Sequence, residues 1–216
     1  FSGCTALSFI DIDAPIVEIK MNAFNGCTNL ENVEFPQSLE MIRWGAFEDC
    51  IKLDRVHFPE SLQIIDTCAF ASCTNLVVVQ FAQNSKLEYI GGSAFSECTS
   101  LLTIEIPGSV ETIYNNAFGG CSKLGSVVFN EGLKWIASSA FKDCVELCNF
   151  DLPSSLLEIG DYAFRNSQGI TKVEIPLAVS KIGKIPFEDC KNIASISVDE
   201  NNTVYDSRSA CNAIII

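Results

Sequence analysis

Nine phenylalanines, Phe1, Phe24, Phe47, Phe70, Phe95, Phe118, Phe141, Phe164 and Phe187, follow one another at intervals of 23, 23, 23, 25, 23, 23, 23 and 23 residues. A period this short and this regular excludes a chain of separately packed domains. It predicts a solenoid in which each unit is one coil and contacts only its neighbours. Eight complete units and a partial ninth fill residues 1–198 as a single array, and 199–216 read as a divergent C-terminal segment.

The third unit shows how one coil is built. Leu53-x-x-Val56-x-Phe58 alternates as a strand, with Val56 and Phe58 on one face and Arg55 and His57 on the other. Pro59 ends it, because proline donates nothing to a ladder and fixes its own φ; Pro36, Pro107, Pro153 and Pro176 recur at the same corner. Leu62-x-x-Ile65 reads as a second, shorter strand, and Ala69-Phe70 turns back through a 3₁₀-like stretch. Each ordered residue costs about 1–2 kcal/mol of backbone entropy, and each of the five or six large apolar side chains per coil returns about 1.5–3 kcal/mol. One coil therefore cannot fold alone; stability belongs to the stack.

Position also explains two compositional extremes. Of 15 Phe, nine sit at the corner and four (Phe35, Phe58, Phe81, Phe129) at the last inward strand position. Of 11 Cys, eight lie three residues after a corner Phe, with Ser167 as the one exception; Cys68, Cys148 and Cys211 fall outside this column. We read the column as buried, weakly polar side chains of the right size. In-register parallel side chains stand about 4.8 Å apart, too far for the Cβ separation of a disulfide.

With no Cys-x-x-Cys pair and a single His, the sequence holds no recognisable metal site, and nothing calls for a cofactor. A formal charge of −13 argues against nucleic acid, whose phosphates would be repelled. No run approaches the roughly 18 apolar residues of a membrane span. His57 lies outward without a nucleophile motif beside it, and a shallow sheet lacks the enclosed pocket that tunes paired carboxylates, so the chain is expected not to be an enzyme. Asn201-Asn202-Thr203 spells a glycosylation sequon, and Asp199-Glu200-Asn201 fits no calcium loop.

The unit Ala46-Phe47-x-x-Cys50-x-x-Leu53-x-x-Val56-x-Phe58-Pro59-x-x-Leu62-x-x-Ile65 resembles the 23-residue repeat of the BspA-like leucine-rich-repeat family. That resemblance implies a right-handed, gently curved, β-rich leucine-rich-repeat solenoid with parallel strands stacked one per repeat. It further implies a non-catalytic interaction module, at the cell surface or secreted, that adheres to a host matrix or cell-surface protein or to other bacteria. A structural spacer that displays another domain is the alternative. The opening inside a unit at Phe1 and the apolar end Ile214-Ile215-Ile216 lead us to expect a stretch of a longer protein.

A protein ligand would meet the outward strand positions. The tenth residue after each corner Phe gives a partly acidic column that includes Asp11, Glu34, His57, Gln80, Glu105, Asp151 and Glu174, and the eighth gives Arg55, Val78 and Lys172 among others. These ten are the candidate binding residues on the concave face. Two further features mark the middle: Val77-Val78-Val79 with Leu102 as outward apolar side chains, and a protruding loop at Ala82-Gln83-Asn84-Ser85-Lys86, where the long unit lacks its proline.

Overall fold

A computed structural model describes residues 1–206. Each coil contributes a longer and a shorter strand: β1 (Phe9–Asp11) and β2 (Glu18–Ile19), β3 (Asn32–Glu34) and β4 (Met41–Ile42), β5 (Arg55–Phe58) and β6 (Ile64–Ile65), β7 (Val78–Phe81) and β8 (Tyr89–Ile90), β9 (Thr103–Ile106) and β10 (Thr112–Ile113), β11 (Ser126–Phe129) and β12 (Trp135–Ile136). Then come β13 (Glu158–Ile159), β14 (Lys172–Ile175), β15 (Lys181–Ile182) and β16 (Ser195–Val198). All pairs are parallel and in register from coil to coil, Ile42 beside Ile65 and Val56 beside Val79. The leucine-rich-repeat solenoid is thus the observed fold.

The sheet that runs unbroken is the short one. Its eight strands stack in the order β15-β13-β12-β10-β8-β6-β4-β2, whereas the longer strands fall into three groups, β1-β3, β5-β7-β9-β11 and β14-β16. The core between them is one continuous cluster of the repeat residues, with Phe47, Phe70, Phe95, Phe118, Phe141 and Phe164 fully buried. The nine corner rings stack at centroid spacings of 5.1–5.5 Å along the axis.

The corner is not the expected 3₁₀ stretch. In coil after coil, the residues two before and two after the Phe have positive φ: Gly45 and Asp49 around Phe47, Cys68 and Ser72 around Phe70, Asn116 and Gly120 around Phe118. Those left-handed residues break the helical run, and alternate amides leave the coil. Ala46, Glu48 and Cys50 N–H donate three residues back, to Arg43, Gly45 and Phe47 O. Gly45, Phe47 and Asp49 N–H instead donate to Thr67, Ala69 and Ala71 O of the next coil, at 2.8–3.0 Å. Each corner from Phe24 to Phe164 therefore adds three hydrogen bonds along the axis, all pointing the same way.

The cysteine column has a definite bonding role. Sγ of Cys50, Cys73, Cys98, Cys121 and Cys144 lies 3.1–3.3 Å from the corner-Phe carbonyl of the preceding coil, and Cys27 and Cys190 repeat the contact. Ser167 makes the same bond through Oγ to Phe141 O at 2.8 Å. The position calls for a small donor, which is why one Ser replaces Cys without disturbing the stack. Cys4, in the first coil, is exposed, and the other cysteines of the column are buried. Cys211 and Ile214-Ile215-Ile216 lie outside the described residues.

Beyond β16 the chain keeps the register. Asn202 stands where earlier coils have Leu62 or Leu133, and its amide donates to Pro176, Val179 and Leu177 O while its carbonyl accepts from Val204 and Tyr205 N–H. Tyr205 stands in the Ile65 position, and its hydroxyl accepts from Ile182 N–H at 2.9 Å.

Candidate binding face

The longer strands carry the outward columns, and their register brings the predicted residues together in groups. Asp11 pairs with Glu34; Arg55 with Val78, and His57 with Gln80; Glu105 lies beside Val128; Lys172 and Glu174 share β14. Asp151 belongs to no strand. The columns therefore exist but do not form one uninterrupted surface.

Charge on this face is partly compensated. The Arg55 guanidinium is held by Asp54 at 3.1 Å, which pushes its pKa up. Lys172 bonds Glu174, and that bond, with a smaller contribution from Asp151 nearby, holds the ammonium above its usual pKa. Glu105 accepts from Asn130 Nδ2 at 3.0 Å. Among the described residues no ion pair reaches Asp11, Glu34 or Asp151.

The middle of the array differs from expectation in one detail. Val77, Val78 and Leu102 are exposed, but Val79 points inward and is buried, because side chains alternate along β7 from Val78 onward and Val77 lies before the strand. The two extra residues of the long unit are absorbed in a turn closed by Ser85 N–H to Ala82 O, with Gln83 and Asn84 exposed at its tip.

The largest departure lies at the seventh coil. Its strand stretch begins on the ladder, with Cys148 and Asn149 N–H on Gly125 O and Val127 N–H on Asn149 O. Only the bridge between Ser126 and Asn149 forms. Among the described residues no hydrogen bond joins 149–152 to β14, although the same two coils are tied on either side by Gly169 N–H to Val145 O and Gly183 N–H to Ile159 O.

One residue type sets this coil apart. At the ninth position after the corner Phe every other coil has Val or Ile, as in Val56, Ile104, Val127 and Val173; the seventh has Phe150. Phe35, Phe58 and Phe129 reach the next corner ring edge-on from two residues further along, at interplanar angles of 66–83°. Phe150 lies flat on Phe164, with centroids 5.2 Å apart and planes 8° apart. Seating so large a ring at a β-branched position lifts the strand off the ladder and leaves Phe150 and Leu152 half-buried.

The result is a cavity of about 1050 Å³ lined by Ser126, Val128, Phe150, Asp151, Lys172 and Glu174, together with neighbouring backbone. Three of the ten predicted residues meet there. Phe150, Val128 and Leu177 were missed, and the signal that locates them is the one Phe in a column of Val and Ile. Among the described residues no group of three or more His, Cys, Asp or Glu is placed to hold a metal ion, and no helix is long and apolar enough to cross a membrane.

The family model of the BspA type leucine rich repeat region matches in six copies over residues 1–125 and 111–214. Among solved structures, the leucine-rich repeat protein of T. pallidum is 30% identical, covers 87% of this chain and 78% of its own, and superposes with a TM-score of 0.66. A leucine-rich repeat protein of Eubacterium ventriosum is 22% identical over 90% of this chain and 46% of its own, with a TM-score of 0.58. A leucine rich cell surface protein of Faecalibacterium prausnitzii is 22% identical over 94% of this chain and 70% of its own, with a TM-score of 0.47. No curated protein matches the chain.

Proposed function

Because the chain belongs to the BspA-type leucine-rich repeat family, we propose that it is a non-catalytic module that docks a protein ligand on its longer-strand face, at the seventh and eighth coils. The observation that supports this reading is the cleft opened by Phe150. It combines half-buried apolar side chains, main-chain groups of 149–152 and of the β14 edge that faces them, which no ladder bond joins, and the unpaired carboxylate of Asp151 beside the Lys172–Glu174 pair. Apolar surface supplies affinity, unpaired strand edges accept an extended segment, and the carboxylate selects a basic residue on it. Adhesion, with a host matrix protein or another bacterium as the partner, and location at the cell surface or in secreted form are part of this proposal, drawn from the family.

The test is binding of the chain to immobilised matrix proteins and to bacterial cells. The variants D151K and L177E should weaken capture by about tenfold or more, D151K in a salt-dependent way, while K20E on the shorter-strand side leaves it unchanged. Absence of capture by the unaltered chain, or equal capture by D151K and L177E, contradicts the proposal and favours a spacer.

A further inference from the structure

The shorter-strand sheet carries a second surface, independent of the cleft. Its outward column reads Glu18, Met41, Ile64, Tyr89, Thr112, Trp135, Glu158 and Lys181, in parallel register. Tyr89 and Trp135 are thus two rungs apart with the small Thr112 between them. Tyr114 stands beside this pair, 5.4 Å from Tyr89 in an edge-on arrangement. Tyr114 and Trp135 are 45% and 37% exposed, large fractions for side chains of this size, and three of the chain's six Tyr and Trp residues meet on one patch.

The surroundings are flat. In the column that contains Tyr114, the neighbouring coils contribute Gly91, Ala137 and Gly160. A Cβ on Gly91 or Gly160 would come within 2.6 Å of backbone in the preceding coil, so these positions are held bare by packing. The rings therefore stand above bare backbone and offer no pocket for an anchoring side chain, which a protein partner's hot spots need. At the rim, Glu111 holds Lys134 at 2.6 Å, and the Lys134 ammonium stands 5.7 Å from the centre of the Trp135 ring. Glu88 is exposed next to Tyr89. Hydrogen-bond donors and acceptors thus border an aromatic floor.

We infer that this face binds a neutral, extended, β-1,4-linked glycan. Two rungs of the sheet span about 9.6 Å, the length of a disaccharide. In a β-1,4 chain alternate sugars present the same face, so sugars n and n+2 lie over Tyr89 and Trp135 while the sugar between them passes over Thr112. The C–H faces of pyranose rings pack on aromatic rings, and their hydroxyls meet Glu88, Glu111 and the phenol of Tyr114. At the rim Glu111 neutralises Lys134 and Glu88 enters no ion pair among the described residues, so with the net charge of −13 sulfated or uronic chains are disfavoured and the ligand is a neutral one.

Titration with cellohexaose and with chitohexaose, followed by calorimetry and by tryptophan fluorescence, tests the inference; maltohexaose, whose α-linked chain curls, is the contrast. The unaltered chain should bind at least one β-linked hexasaccharide saturably and maltohexaose at least about tenfold more weakly. W135A and Y89A should each lower the association constant about tenfold or more. T112R, which keeps all three rings but fills the space between them, should do the same. W44F and D151K should leave it unchanged, which separates this site from the protein-binding cleft. All substituted side chains reach the surface, and matching thermal melts establish that the variants fold. No saturable binding at millimolar saccharide, equal binding of maltohexaose, or unchanged binding by W135A and T112R overturns the inference.

Discussion

At the scale of single residues, the cysteine column shows how a repeat reconciles packing with hydrogen bonding. Each thiol is small enough for the space beneath the corner rings and still donates to a carbonyl of the coil before it. C121S should therefore cost less than about 1 kcal/mol, because Ser167 already makes that bond at 2.8 Å. C121A, which loses donor and volume, should cost about 1–2 kcal/mol, and C121V, which overpacks, about 1–3 kcal/mol; urea midpoints rank the three. Burial pushes these thiols up, Cys50 to about 12 and Cys190 to about 11, from an ordinary value of 9.0. Unfolded thiols lose their protons above pH 9 while folded ones keep theirs, so stability is full below pH 9 and falls as pH rises toward 11–12. Each such thiol removes up to about 1.4 kcal/mol per pH unit in that window. Urea denaturation from pH 8 to about 11.5 should show the decline, and serine at Cys50 and Cys190 should make it shallower, the remaining buried thiols of the column supplying the rest.

At the scale of the element, two features govern the coil, the left-handed pair at the corner and the inward column of the strand. Ile185 occupies a left-handed position at φ 37, where a β-branched side chain is strained, and it is 53% exposed, so little burial is lost on replacing it. I185N, which installs the residue type used at Asn22 and Asn116, should raise stability by about 1 kcal/mol in urea denaturation. The strand column gives the sharper test. F150V installs the residue that the neighbouring coils use and should return 149–152 to the ladder; amide hydrogen exchange at Lys172 and Glu174 should then slow by about tenfold or more. Much of this level was legible in the repeat. The period, the corner Phe, the strand alternation and the buried thiols all follow from spacing and residue type. The rupture at the seventh coil was not, because Phe150 is apolar and satisfies the alternation; only its volume against Phe164 displaces the strand. Nor does apolar periodicity record where alternate amides donate, so the corner read as 3₁₀.

At the scale of the whole molecule, the solenoid presents two unlike faces on one core. The shorter-strand sheet is continuous and aromatic at its centre, whereas the longer-strand face is divided between β3 and β5 and again where coil seven leaves the ladder. The acidic column legible in the sequence sets carboxylates side by side in register at Asp11–Glu34, yet what gathers Asp151 and Glu174 into a cleft is a packing mismatch, which no count of charges reveals. The central claim is that a protein ligand docks in that cleft. The most direct test places a photo-reactive amino acid at Asn149, inside the cleft, or at Lys20, on the shorter-strand side, and exposes each chain to matrix proteins and bacterial cells under illumination. Adducts from position 149 and none from position 20 are predicted; adducts from position 20 alone, or none from position 149 under conditions where the chain binds, would contradict it.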